Sequence, residues 1–573
     1  MLVCDYIAQY LVERDIKYAF GYPGGMVTYL MDSLSATEQM HSYSMYHEQA
    51  AAFAACGYAQ SSGKVGVAFA TSGPGATNLI TGICHAYFES VPTLFITGQV
   101  NTQESKGNMK IRQKGFQETD VISMVQNVTK YCAYIGDAKD IKYFLDKALF
   151  FATDGRPGPV LLDIPIDIQR TEIDPEKLRD FSQTQILSDN YQDAVRIIRE
   201  NLTAAHKPVI IVGNGIHIAG VTMMLRSLLS NLGVPIVSSM TAMDIMPSAS
   251  NNYFGFIGAY GHRCANFIVS QSDLVISIGS RLDIRQTGAN IKAFAEHAKL
   301  VRVDIDLDEV ENKIKEDEID VMADLKILVP CLINDPELQN YMVDSNWINK
   351  CHYYREKLYM VDQMEPTRII EKISRFIPDE STITTDVGQN QVWIAQAFSI
   401  KTAQRVLFSG GHGSMGYSLP AAIGAYYSSK KPVYCFTGDG GLQMNIQELQ
   451  FLVREDIPIK IFILNNYSLG MIRHFQEMYF ESVFTQTVEN QGYSVPDFRR
   501  IGLAYGIHSY DINQINDFDQ CQEALTDLHP ALFNVNMGHV TYVSPKLVFT
   551  KPIYDQDPPL DRELLAELLA YEG

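Results

Sequence analysis

The residues with the most chemistry in them fall in two short runs, Gly438-Asp439-Gly440-Gly441 and Asn465-Asn466. Each follows a strand-like run, PVYCFT for the first and IKIFIL for the second, and a helical stretch is predicted between them, from about Asn445 through Leu452. Asp439 and Asn466 are 27 residues apart, each at a strand end. One strand–helix–strand unit sets two such ends side by side, so the two side-chain oxygens can converge. Asp and Asn oxygens suit Mg2+, which keeps phosphate oxygens and water in its remaining octahedral positions. The glycines let the backbone approach a diphosphate closely, and the helix that follows offers its N-terminus to the anion. Asp-Gly and Asn-Asn are also ordinary turn pairs. It is the two together, at this spacing, that point to a site.

A second candidate is Glu48 in His47-Glu48-Gln49, between the β-like run HSYSMY and the helical run AAAFAACGYAQ. A Glu at a helix start is an ordinary charge for that position. Its surroundings change the reading. The segments GYPGG (21–25), HEQAAAFAACGYA (47–59), TSGPGATN (71–78) and GICHAYFESVPTLFITGQV (82–100) follow in one order.

Together these segments closely resemble the large subunit of acetolactate synthase, and Gly438-Asp439-Gly440 followed after 24 residues by Asn465-Asn466 resembles the thiamine-diphosphate signature. The resemblance spans nearly the whole chain and is strongest in its first and last thirds. It implies that Asp439, Asn466 and the backbone carbonyl of Ser468 hold Mg2+. Gly388-Gln389-Asn390 and Gly411-His412-Gly413 would complete the diphosphate pocket with Gly438, Gly440 and Gly441. Met415 matches the apolar residue that props the coenzyme in a bent form, and Gly470-Met471 match the segment after the asparagines. Glu48 matches the carboxylate that drives the coenzyme's pyrimidine to its imino form, Gly25 an active-site loop, and Phe116-Gln117-Glu118 a motif beside the substrate channel. In the family the glutamate and the diphosphate site come from different subunits, so a homodimer is the expected minimum and a homotetramer fits as well.

The middle of the chain carries IIVGNGIHIAG, with Gly213, Gly215 and Gly220. As a dinucleotide fingerprint this is poor, because the third glycine is late. The resemblance adds FAD, through Arg281, Asp283, Arg285 and Gly288 in RLDIRQTG, together with Arg156, Asp304 and Asp324. Guanidinium groups can pair with the FAD pyrophosphate. The family's second Asp in that motif is Ile284 here, and its GMHG turn reads Gly258-Ala259-Tyr260-Gly261.

For the reaction, the resemblance implies decarboxylation of pyruvate and transfer of the two-carbon unit to a second 2-keto acid. Two departures touch the acceptor. Phe475 stands where the family has a tryptophan, and the loop before Phe116 carries Lys106, Lys110, Arg112 and Lys114 with no acid among them. That loop is either a solvated rim or an anion-binding one. The second reading, with the tail KPIYDQDPPL, resembles relatives that add an acetyl unit to a keto sugar carried on a nucleotide. A decarboxylase releasing free aldehyde is disfavoured, since the adjacent His-His pair of that branch is missing.

These residues need a frame. Helical patterns alternate with short β-rich runs in three segments, about 1–168, 186–345 and 366–545, with a tail at 546–573. The pattern predicts an α/β chain of three doubly wound parallel-sheet domains in series, with ligands at the carboxyl ends of the strands. A polar stretch after residue 170, TEIDPEKLRDFSQTQ, reads as a linker. At 573 residues the chain is too long for one core. Its charge of −20 argues against nucleic-acid partners. No apolar run is long enough to span a membrane, and the N-terminus reads as an amphipathic helix rather than a signal peptide. Nine scattered cysteines without a CxxC pair fit a reducing cytoplasm.

Overall fold

The computed structural model describes residues 1–183, 191–359, 361, 364–548 and 551–571. The end of the expected linker and the first positions of the middle segment lie outside them. Three six-stranded sheets follow in series, and every pairing within them is parallel. The first sheet holds β1 (Tyr18–Gly21), β2 (His41–Ser44), β3 (Gly66–Ala70), β4 (Thr93–Gln99), β5 (Tyr131–Tyr134) and β6 (Pro159–Pro165). The central sheet holds β7 (Pro208–Val212), β8 (Ile236–Ser238), β9 (Tyr253–Phe256), β10 (Leu274–Ile278), β11 (Lys299–Asp304) and β12 (Ile319–Met322). The third holds β13 (Thr382–Thr385), β14 (Arg405–Leu407), β15 (Val433–Gly438), β16 (Ile459–Asn465), β17 (His508–Ile512) and β18 (Ala531–Asn536). The inner strands are short runs buried along their length, as in β4, β7 and β16. Helices cover both faces of such sheets, so no face is left polar.

The first and third sheets share one strand order, β2-β1-β3-β4-β6-β5 and β14-β13-β15-β16-β18-β17. The central sheet differs. Its order, β9-β8-β7-β10-β11-β12, reverses direction between β7 and β10. This is the doubly wound order that opens a crevice at the reversal.

The first and third domains share one apolar core. Its seam is the helix Glu48–Ser62 packed on the helix Ser418–Ser429. Alanines and glycines let the two backbones touch: a Cβ on Gly424 would fall 1.9 Å from the Ala54 carbonyl oxygen, and one on Gly57 would fall 2.2 Å from that of Ala421. The helix Ser345–Tyr359 lies against Arg263–Gln271, with Tyr354 edge-on to Phe267, so the central layer runs past the expected limit at 345. The tail returns to the same domain. Leu547 N donates to Ala259 O, and the buried Arg263 donates to the carbonyls of Gln556 and Pro558.

Candidate functional site

β15 and β16 pair with Gly438 opposite Leu464, so Asp439 and Asn466 leave neighbouring strand ends. The helix expected from Asn445 begins earlier, as Asp439–Met444, and a second helix runs Leu449–Glu455. Gly440 and Gly441 read as turn residues in sequence. In the fold they occupy the first turn, because other parts come too close for side chains: a Cβ on Gly441 would fall 2.8 Å from the Asp386 carboxylate, and one on Gly440 3.2 Å from the Met415 methyl.

Asp439 is buried. Its Oδ2 accepts from Ser468 N at 3.2 Å, and its Oδ1 accepts from Gly440 N at 2.7 Å and Tyr493 Oη at 3.0 Å. Burial pushes its carboxyl up to about 6. A nearby cation would reverse that push. The Asn466 amide nitrogen is committed to Gln389 Oε1 (2.9 Å) and Thr541 Oγ1 (2.8 Å), which leaves its oxygen as the remaining polar atom. Tyr467 takes a left-handed φ of 56° and turns the chain so that Ser468 returns to Asp439. A non-glycine residue held there is strained, and such strain is common at functional sites. Gly470 leaves room for Gln389, whose Oε1 would lie 2.2 Å from a Cβ at that position.

The loops expected to complete the pocket gather at the same end. Gly388 has φ 136°, and Asn390 lies beside Gly438, its Nδ2 3.2 Å from where a Cβ would be. Asn390 Oδ1, Ser414 Oγ and Ser468 Oγ are buried without a hydrogen-bond partner. Buried polar atoms are almost always satisfied. Three unsatisfied ones around a glycine turn fit a site whose ligand supplies the missing partners. Among the described residues no group of three or more His, Cys, Asp or Glu could hold a metal. The donors offered here are one carboxylate, one amide and a backbone carbonyl, which suit a hard cation that shares a phosphate.

Sequence reasoning missed the residue that ties these loops together. Asp386, fully buried after β13, accepts from Val387 N, Gly416 N, Ser418 N and Ser418 Oγ. It fixes the approach to Gly388-Gln389 on one side and the turn after Met415 on the other. Its only sequence signal was an Asp at the end of a strand-like run.

In the first domain Glu48 opens the helix Glu48–Ser62, with His47 Nδ1 capping Gln49 N. The Glu48 carboxylate is buried and accepts from Asn78 Nδ2 at 3.0 Å, and a Cβ on Gly75 would fall 3.2 Å from its Oε1. Around it stand Thr71, which binds Met26 N next to Gly25, and Gln117, which packs on Gly73. Glu48, Gly25 and Gln117 therefore share one loop cluster. The same chain brings the third domain to its edge, since Tyr46 N donates to the Glu448 carboxylate and Asn445 Nδ2 to Gln49 Oε1. The hydrogen bond from Asn78 to the Glu48 carboxylate lies within the first domain.

The basic loop is organised by Glu118, whose carboxylate accepts from Lys106 N, Lys114 N and Ser105 Oγ. Lys114 Nζ reaches the Gln103 carbonyl and Lys106 Nζ that of Arg112. Phe116 is 80% exposed and Phe475 is 48% exposed.

A cleft of about 300 Å3 lies over the strand ends of the central sheet, at the reversal between β7 and β10. The loops meet there backbone to backbone, since a Cβ on Gly213 would fall 2.1 Å from the Gly279 carbonyl oxygen. Arg156, Arg281, Arg285, Asp304 and Asp324 all line this cleft. Their commitments differ. Arg156 Nη1 is held by Asp306 at 2.9 Å and Glu309 at 2.8 Å. Arg281 pairs with Asp283 at 2.8 Å. Asp324 caps the helix Leu325–Ile333, and Asp304 accepts from Ile305 N and Asp306 N. Ile284, the departure from the family motif, is 60% exposed.

Comparison with known proteins agrees with this layout. The N-terminal and C-terminal binding-domain models of thiamine pyrophosphate enzymes match residues 1–124 and 386–535, and the central-domain model matches 195–332. The acetolactate synthase large subunit of Lactococcus lactis is 34% identical over 94% of this chain and 93% of its own length. The isozyme 2 large subunit of Escherichia coli is 33% identical over 94% and 96%, and the large subunit of Corynebacterium glutamicum 36% over 87% and 80%.

Proposed function

This chain belongs to the acetolactate synthase large-subunit family of thiamine pyrophosphate enzymes, and from that premise we propose that it decarboxylates pyruvate and passes the two-carbon unit to the keto carbon of a second 2-keto acid. The observation that carries the reading is that Asp439 and Asn466 leave neighbouring strand ends, beside glycines and buried polar atoms lacking partners. Thiamine diphosphate, when bound, supplies the carbon centre that takes up the electron pair freed by loss of CO2. The protein's part is binding, orientation and proton placement.

Asp439, the Asn466 amide oxygen and the Ser468 carbonyl would hold Mg2+, and Gln389, Asn390, Gly413, Gly438, Gly440 and Gly441 would surround the diphosphate. Met415, against Gly440, would support the coenzyme's bend, and Gly470 and Met471 are the further positions assigned to the coenzyme. Glu48, fixed by Asn78, would keep a proton at the pyrimidine nitrogen of a coenzyme held by a second subunit. Gln117 and Gly25 border the same approach. A homodimer is then the smallest complete unit, and a homotetramer contains it twice.

FAD is proposed for the central cleft. The strand order with its reversal supports a dinucleotide there, and Arg281 and Arg285 offer guanidinium groups for a pyrophosphate. Arg156 is tied to two carboxylates, so its part is to shape the wall. The reaction needs no net electron transfer, which makes such a flavin structural. Nine free cysteines, and the lack among the described residues of any helix long and apolar enough to cross a membrane, support a cytoplasmic enzyme.

One observation favours a second acceptor. Glu118 spends its carboxylate on backbone amides, so it leaves the charges of Lys106, Lys110, Arg112 and Lys114 as a basic rim. A ketosugar carried on a nucleotide suits such a rim. One preparation tests both readings: pyruvate is supplied with thiamine diphosphate and Mg2+, with and without a nucleotide-linked ketosugar, and the visible spectrum is recorded for flavin. Acetolactate formed from pyruvate alone, and abolished by chelating the metal, is the expected result. No acetolactate, with pyruvate consumed only when the ketosugar is present, would replace the first reading by the second.

A further inference from the structure

The loop Ser409–Ser414 of the third domain runs from the central cleft toward the Asp439 turn. Its Gly410 and Gly411 line the central cleft, and its far end leads into Gly413 and Met415 beside Gly440. The loop is held by the first domain, through consecutive turns of one helix end. His85 Nδ1 lies 3.1 Å from Ser409 Oγ, and the Phe88 ring stacks on His412 at 5.4 Å and 8°. Glu89, just past the helix, places one carboxylate oxygen on two backbone amides, Gly411 N at 2.5 Å and His412 N at 3.3 Å. Glu89 is buried, as is His85. Burying a carboxylate is costly unless it is hydrogen-bonded or paired. Here they fix two glycine-flanked peptides that have no strand or helix of their own.

We propose that Glu89 is a positioning residue for thiamine diphosphate, clamping the 409–414 loop from a different domain so that Gly413 and Met415 stand ready for the coenzyme. The inference rests on the reading that the third domain holds that coenzyme. It adds a reason why the two domains must be docked before the coenzyme binds tightly. What matters is an acceptor at the Oε1 position, so the amide of glutamine should serve and a methyl group should not.

The test is titration of the metal-loaded apoenzyme with thiamine diphosphate by calorimetry, beside steady-state kinetics at saturating coenzyme. Losing an acceptor shared by two buried amides should weaken binding by about tenfold or more. Glu89→Ala should therefore raise the coenzyme Kd by about that factor and leave kcat at saturation within a few-fold. Glu89→Gln should keep Kd near that of the unsubstituted enzyme. Phe88→Ala, on the partly exposed side of the same clamp, gives a second reading if Glu89→Ala does not fold, and should also raise Kd. An unchanged Kd in the folded Ala variants, or a kcat loss with Kd intact, overturns the proposal. If the unsubstituted enzyme binds no thiamine diphosphate, the functional reading itself fails, and the two failures are distinct.

Discussion

Single residues carry the chemistry and set the conditions under which it works. The glycine–aspartate turn and the paired asparagines were legible in the sequence because their types and spacing are demanding. The residues that hold them were not. Tyr493 and Thr541 reach the site from loops 54 and 75 residues away in sequence from the groups they bind. Nothing in the sequence marks Asp386, Glu89 and Glu448 as acids that the fold buries. Glu448 is the plainest case. It is fully buried, and burial pushes its carboxyl up to about 8 although Tyr46 N donates to it. An unfolded chain loses that proton near 4.5, whereas the folded chain keeps it to about 8. Across that window the folded state binds more protons, so this group makes stability fall as pH rises. Glu448→Gln removes the titration. Thermal unfolding of the apoenzyme followed from about pH 5 to 8 should show a shallower decline in the variant than in the unsubstituted protein. An unchanged slope would show that Glu448 ionises as it does in water.

At the scale of elements, periodicity and buried apolar runs revealed the strands and the N-terminal helix, Val3–Glu13. They misplaced the helix after Gly438, because two glycines in its first turn do not look helical. The same blindness hid the seam between domains. The run AAAFAACGYA reads as one more helix of small residues, and nothing local says that Gly57 and Gly424 are places where two backbones meet. The structure gives those glycines a consequence. Gly424→Ala puts a methyl 1.9 Å from the Ala54 carbonyl oxygen, where only a shift of backbone can relieve the clash. Overpacking of that kind costs about 1–3 kcal/mol or more. A lowered unfolding midpoint is expected, with reduced coenzyme affinity, since Glu48 and the 445–448 turn flank the same seam. A midpoint equal to that of the unsubstituted protein would show that the seam yields freely.

At the scale of the molecule, the alternation of helix and strand foretold three parallel sheets. The strand orders were not legible, because order depends on which crossover passes over which face. The central reversal between β7 and β10 is therefore a finding of the structure, and it opens the cleft to which the proposed reading assigns a dinucleotide. The two outer sheets share one order, and in the proposed reading they bring different halves of the chemistry: an acid from the first, a phosphate and metal site from the third. In the proposed reading those halves meet across subunits. Two variants disable one half each, Glu48→Gln the acid and Asp439→Ala the metal site, and each alone should be nearly inactive. Co-expressed under separate tags and purified as mixed dimers, they leave one site in which both halves are intact. The measurement is carboligation by that mixed preparation. The account predicts recovery to roughly half of the unsubstituted rate per dimer, because one of two equivalent sites is whole. Mixed dimers as inactive as either parent would contradict it, since the acid and the metal site would then have to come from one chain.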